Sequence, residues 1–130
     1  QNVLHGILIF NANGTPAQGV IQASSSTSGN QRFPRIGAAP DFRMVVVWED
    51  ESNDGDDWGI YHRRISSSGA NLSSEILVNT TTAGAQHIPD VAVDANGNYV
   101  IVWQGVNANG NYDIYAQRYN SSGTPREVKQ

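Results

Sequence analysis

Apolar and polar positions along the chain form short runs, separated by clusters of Gly, Asn, Asp, Ser and Pro. β-branched and aromatic residues dominate the runs, and no segment carries the period of about 3.6 residues that marks a helix. The pattern therefore predicts an all-β chain. The predicted strands span residues 3–10, 19–24, 32–38, 43–50, 59–66, 74–80, 87–94, 98–104, 113–120 and 126–130.

The predicted strands repeat in groups of four. Residues 29–48 realign on residues 84–103 at an offset of 55, and residues 60–69 realign on 114–123 at an offset of 54. A period of about 40–55 residues is typical of propellers and other β-repeat arrays. We predict propeller-type, four-stranded antiparallel units of 54–55 residues, about two and a half in number, which cannot close a ring of about four to eight blades. The predicted organisation is one β-repeat domain, 1–130, divided into a half unit (1–28), a full unit (29–83) and a nearly full unit (84–130).

The first unit differs from the others in its third strand. Ile7, Leu8 and Ile9 stand where the other units have mostly polar or small residues, so this strand is apolar on both faces. An unpaired apolar strand at an edge invites pairing with another sheet. The alternatives are that a loop or the chain's own last unit covers this strand, or that the upstream half of the unit has been cut away. The predicted assembly strand comprises Val3, Leu4, Ile7, Leu8, Ile9 and Phe10.

Aromatic residues recur at fixed positions of the repeat. Trp48 and Trp103 each close the second strand of a unit, where a core anchor is the simplest interpretation and a stacking platform for a sugar is the alternative. Tyrosines of the third strands are half exposed by the pattern and are better platform candidates, unless they pack between neighbouring sheets. The predicted ligand platform is Tyr61, Tyr115, Tyr119, Trp48 and Trp103.

Two arginines, Arg64 and Arg118, recur on the face of the third strand that carries Ile60 and Ile114. A guanidinium repeated beside apolar residues suggests an ion pair or a backbone clamp within each unit. The sequence does not identify what these arginines contact.

The acidic loop 50–57 is a candidate calcium site. Its carboxylate and hydroxyl groups take the first, third and fifth positions of a calcium loop, and Gly55 takes the sixth, where the backbone must turn tightly. The twelfth position is Tyr61, where an EF-hand has its bidentate Glu. A solvated turn is the alternative. The predicted ligands are Asp50, Ser52, Asp54, Asp56 and Asp57.

Composition excludes several classes of function. The net charge is −4 and the arginines are scattered, so the chain lacks the clustered basic face of a nucleic-acid binder. No apolar run is long enough for membrane insertion, and there is no cysteine. His5, His62 and His87 lie in different units, and no catalytic motif accompanies them. We predict no enzymatic activity, no catalytic residues and no cofactor beyond calcium at the acidic loop.

Residues 89–104, PDVAVDANGNYVIVWQ, and 113–120, DIYAQRYN, resemble a tandem repeat common in large bacterial cell-surface and secreted proteins. The resemblance is close over 84–123, and the middle unit departs from it at Glu49, His62 and Ile65. It implies a propeller-like, non-catalytic module that is secreted or held at the cell surface. It carries over no functional residues.

Together these features predict a non-catalytic extracellular structural or adhesion module that acts through self-assembly. Its partners would be copies of itself, joined by edge-strand pairing into filaments or by closure of a multi-chain propeller. The alternative is a multivalent carbohydrate-binding lectin of propeller type, whose partners would be glycans.

Overall fold

The computed structural model describes residues 6–17, 21–23, 30–51, 58–78 and 84–126, which form ten strands in three antiparallel sheets. None of these residues forms a helix, so the described part of the chain has no helical membrane span. The first sheet consists of β1 (Gly6–Ile7) and β2 (Ile21–Gln22); the middle sheet of β3 (Gln31–Ala38), β4 (Met44–Asp50), β5 (Gly59–Ile65) and β6 (Ile76–Leu77); and the last sheet of β7 (Gln86–Val93), β8 (Tyr99–Val106), β9 (Tyr112–Tyr119) and β10 (Pro125–Arg126).

The strands of each sheet follow one another in chain order, and the pairing register repeats from sheet to sheet. Ile7 pairs with Ile21 in the first sheet, and His62 pairs with Ile76, at an offset of 55, in the middle sheet. The first strands of the two larger sheets carry the same irregularity, between residues 32 and 35 and between 87 and 90. We call residues that are related by the offsets of 54 or 55 residues repeat equivalents. The predicted all-β, propeller-type repeat is confirmed.

The observed strands lie close to the predicted ones except at the edges of the sheets. The fourth strands, β6 and β10, are two residues each. The third strand of the first unit was predicted over 3–10, but β1 covers only Gly6–Ile7, and residues 3–5 lie outside the described part.

The core lies between the sheets, because the middle sheet is covered on both faces. Val45 and Val47 pack against the last sheet, and Val46 and Trp48 pack against the first. The continuous apolar run of β4 predicted this double burial. Each fully buried Val, Ile or Leu contributes about 1.5–3 kcal/mol relative to an exposed one, so the apolar side chains of these two joints stabilise the fold.

Candidate assembly interface

The joint between the middle and last sheets is the most complete contact in the described structure. The middle sheet contributes Val45, Val47 and Ile60, and the last sheet contributes Ile101 and Trp103, all of them buried. Alternation along the strands places one face of each sheet in this joint and the opposite face outside it. The joint therefore shows which residues of one repeat unit cover the face of the next unit.

Arg64 crosses the joint from the third strand of the middle sheet. Its Nη1 donates to the carbonyl oxygen of Ser121 at 3.4 Å, and its Nη2 donates to the carbonyl oxygen of Leu72 at 3.4 Å. Its guanidinium lies against Gly123, where a Cβ would come within 2.6 Å of Nε. The sequence suggested a clamp within one unit, but Arg64 also holds the turn of the next unit. Repeats alone could not reveal this, because an offset does not say which sheets touch.

Glu49 ties the same two sheets at the other end of the joint. Its fully buried carboxylate accepts hydrogen bonds from the Ile88 N–H at 2.6 Å, from Arg32 Nε at 2.8 Å and from His87 Nδ1 at 3.1 Å. Arg32 also lies 3.8 Å from the Trp58 ring centroid. Sequence reasoning missed this role. The only signal was that Glu49 replaces the Gln104 of the last unit.

His62 lies in the middle of the joint. Its Nε2 is 3.1 Å from the Tyr99 hydroxyl, and its ring centroid is 4.8 Å from that of Tyr119. Burial lowers the pKa of His62 to about 4, with the nearby positive charge of Arg64 acting in the same direction. Burial also raises the pKa of Tyr99 to about 12. Both rings are therefore neutral near pH 7.

The outward face of the last sheet repeats the middle sheet's side of this joint. We call it the tail face; it comprises Val100, Val102, Ile114, Ala116 and Arg118. Ile114 is 73% exposed, whereas its repeat equivalent Ile60 is 0% exposed. Val102 is also exposed, and its equivalent Val47 is fully buried. The tail face thus has the composition of a covered face but lacks a cover within the described structure.

A cleft on the tail face marks where such a cover would fit. Its volume is about 390 Å³, whereas the corresponding cavity inside the joint measures about 20 Å³. Inside the joint, Gly97 and Ser121 of the last sheet's turns line the small cavity on the side that faces the middle sheet. The lining of the cleft matches that of the cavity: Asp94, Tyr99, Val100, Arg118 and Arg126 are the repeat equivalents of Ala39, Met44, Val45, Arg64 and Leu72.

The outward face of the first sheet resembles the third-strand part of the opposite side of such a joint. We call it the head face; it comprises Leu8, Phe10 and the turn 11–15. Phe10 is 55% exposed, whereas its repeat equivalent Ile65 is 0% exposed. Leu8 is exposed as well, and its equivalent Arg63 is buried with Nη1 on the Ala23 carbonyl at 2.6 Å. The tail face therefore repeats the middle sheet's side of the internal joint, and the head face repeats the third-strand and turn portion of the opposite side, without equivalents of Ile101 and Trp103.

The predicted assembly strand divides between two environments. Ile7 and Ile9 are half-buried, and Ile7 packs on the cluster formed by Trp48, Tyr61 and their neighbours. Leu8 and Phe10 lie on the head face. Val3 and Leu4 lie outside the described residues. Sequence alone could not separate the two sets, since all of these side chains are apolar.

The predicted ligand platform is mostly inside the sheets. Trp48 and Tyr61 are buried and stacked on each other, with centroids 6.4 Å apart, and Tyr119 is buried in the joint. Trp103 is buried and stacks on Tyr115 at 6.0 Å. Tyr115 is 38% exposed and is the member of the set with the most accessible ring.

Most of the predicted calcium loop lies outside the described residues, including Ser52, Asp54, Asp56 and Asp57. Asp50 is described and is a buried residue at the end of β4. Over the described ranges, no group of three or more His, Cys, Asp or Glu side chains could hold a metal ion. Calcium binding at residues 50–57 stays a prediction.

No protein-family model matches this sequence, and no curated protein matches it. Among solved structures, the chain is similar to a GH43 endo-arabinanase from Bacillus licheniformis, with a TM-score of 0.50 and 15% identity. The match covers 94% of this chain and 48% of that chain, so this chain spans about half its length. At this identity the similarity shows the fold alone. The four-stranded antiparallel sheets of this chain therefore resemble part of a five-bladed propeller.

Proposed function

We propose that this chain is a non-catalytic structural or adhesion module of a bacterial cell surface or secreted protein, and that it works by self-assembly through its sheet faces. The supporting observation is Ile114, which is 73% exposed where Ile60, in the same place of the preceding unit, is 0% exposed. Exposed apolar faces of this kind mark interaction sites in soluble proteins.

The occupant we propose for the tail face is the head face of a second copy. The tail face repeats the middle sheet's side of the internal joint, and the head face repeats the third strand and turn that this side contacts, so each copy carries both partners of that contact. Such a contact is heterologous, which means that it produces a ring if the rotation closes and a filament if it does not. Edge pairing of β1 is a further contact that could add to this stacking.

The proposal is tested by light scattering and sedimentation of the purified 130-residue chain over a range of concentrations. We expect mass to rise with concentration, and we expect Ile114→Ser to weaken association at least tenfold. Ile88→Ser is the matched control, since Ile88 is also an exposed isoleucine of the last sheet but lies outside the tail face. A wild-type chain that stays monomeric at every concentration would overturn the proposal.

Carbohydrate binding is the second candidate, and one groove favours it. The groove measures about 250 Å³ and is lined by Arg32, His87 and Tyr112 among others. Tyr112 is an exposed aromatic ring beside these charged and polar groups, the combination that orients a sugar. Glycan-array binding that Tyr112→Ala abolishes, and that Ile114→Ser leaves intact, would support this function; no binding to any glycan would dismiss it.

A further inference from the structure

We infer that Arg118 of one copy clamps the turn 11–15 of the next copy, as Arg64 clamps the turn 120–124 inside the chain. This inference rests on the proposed self-assembly. It assigns the contact that sets the direction and the register in which one copy stacks on the next. The ligand of Arg118 is therefore a specific backbone turn at the opposite end of an identical chain.

Arg118 occupies the same position in its unit as Arg64 but contacts no turn within the described structure. It is the repeat equivalent of Arg64, is exposed, and lines the 390 Å³ cleft of the tail face. Its guanidinium makes no hydrogen bond or ion pair with any residue that the structure describes. Arg126 pairs directly opposite it across β9 and β10, so two positive side chains lie together at this edge. Like charges directly opposite each other on paired strands are destabilising, so carbonyl oxygens brought to this edge by a second copy would offset the repulsion.

The turn 11–15 has the form that Arg64 recognises. Gly14 and Gly123 are repeat equivalents with φ of 88° and 86°, and each N–H donates to the carbonyl three residues earlier at 2.9 Å. Arg64 covers Gly123, whereas around Gly14 no atom lies within 4 Å of where a Cβ would stand. The Ala12 carbonyl is the equivalent of the Ser121 carbonyl that accepts from Arg64. The receptor is thus already formed and open.

The first sheet has the elements that this clamp needs. Arg64 and His62, on the third strand, contact the turn and the last residue of the neighbouring third strand, Tyr119. The first sheet supplies the same parts, namely the turn 11–15 and Phe10, the equivalent of Tyr119. Phe10 would then pack on Ala116, the smaller equivalent of His62. This pairing explains why a large apolar ring is exposed on the head face.

The test measures the dissociation constant of the assembly by sedimentation for wild type, Arg118→Ala, Gly14→Ala and the double variant. We expect each single variant to weaken association at least tenfold, and the double variant to be no weaker than either single one, because both remove the same contact. Gly110→Ala is the matched control. Gly110 has φ of 81° with open space around it, so it carries the same backbone cost outside the proposed contact. Thermal unfolding at monomeric concentration should shift equally for Gly14→Ala and Gly110→Ala.

The outcomes separate this inference from the function on which it rests. Assembly that Ile114→Ser weakens, but that Arg118→Ala and Gly14→Ala leave unchanged, would overturn the clamp and leave the proposed function standing. Additive losses in the double variant would also overturn the clamp. A wild-type chain that never associates would overturn both.

Discussion

Phe42 has a left-handed backbone conformation that residues with a Cβ rarely adopt. Its φ is 66°, and its repeat equivalent Gly97 has a φ of 87°. The two residues hold the same place in equivalent turns, since the N–H of each donates to the carbonyl oxygen three residues earlier. The ring is 70% exposed, so packing gives little in return. A non-glycine residue in this region costs about 1–2 kcal/mol.

We expect Phe42→Gly to raise the free energy of unfolding by about 1 kcal/mol, because glycine adopts this φ without strain. Chemical denaturation measures the change. Phe42→Ala is the control, since it removes the same ring but retains a Cβ, and it should give no comparable gain. Equal gains for Gly and Ala would assign the effect to the exposed ring instead of the backbone.

His62 should make stability depend on pH. Its pKa in the folded chain, about 4, lies below its ordinary value of 6.5, so the unfolded chain takes up the proton first as pH falls. The contribution is fully present above pH 6.5 and is lost as pH falls toward 4, with a loss of about 3 kcal/mol across this window. Denaturation at a series of pH values measures it.

His62→Gln should flatten this pH dependence, since glutamine can still meet the Tyr99 hydroxyl but does not titrate. His87→Gln, a change of the same kind at the edge of the joint, should keep the slope because His62 remains. An unchanged slope in His62→Gln would show that other groups cause the acid sensitivity.

At the scale of elements, the tie that Glu49 makes between sheets should be worth more than an ordinary surface ion pair. Glu49→Leu leaves the Ile88 N–H and two side-chain donors without their acceptor, and we expect it to lower the free energy of unfolding by about 2–3 kcal/mol. Glu49→Gln, which copies the residue of the last unit, retains an acceptor for Ile88 and should cost about 1 kcal/mol. Calorimetry or denaturation measures both.

Glu51→Gln is the matched control for this series. Glu51 is only half-buried, and its carboxylate accepts hydrogen bonds from Asn30 alone among the described residues. Its replacement should change stability by less than Glu49→Gln does. A Glu49→Leu protein as stable as wild type would mean that the two sheets are held by apolar packing alone.

The strands were predictable because their residues carry local signals. The apolar runs of β4 and β8 and the glycine turns repeat at a fixed offset, and both follow from backbone preference and alternation. The joint was not predictable, because the contacts of Arg64 and Glu49 depend on which sheets lie face to face. The same limit applies to Ile114: its type and its half-exposed strand were visible in sequence, but only the burial of Ile60 shows that it lacks a cover.

For the whole molecule, the first and last sheets present different surfaces to a second copy. Within the described residues, the first sheet holds strands at the third- and fourth-strand positions of a unit. Stacking of a head face on a tail face would therefore use the third strand and its turn, without equivalents of the second-strand residues Ile101 and Trp103 that complete the internal joint.

A contact between two different faces of identical chains leads to a prediction that a contact between two identical faces does not. Phe10→Lys should disable the head face and leave the tail face intact, while Ile114→Asp should do the reverse, because each change buries a charge that meets no opposite charge on the facing surface. Each variant alone should be monomeric by light scattering. An equimolar mixture should form a complex of one chain of each kind. The intact tail face of the position 10 variant binds the intact head face of the Ile114 variant, and the complex cannot grow because its two outer faces carry the substitutions. Self-association of either variant alone at wild-type strength would show that copies meet through another surface.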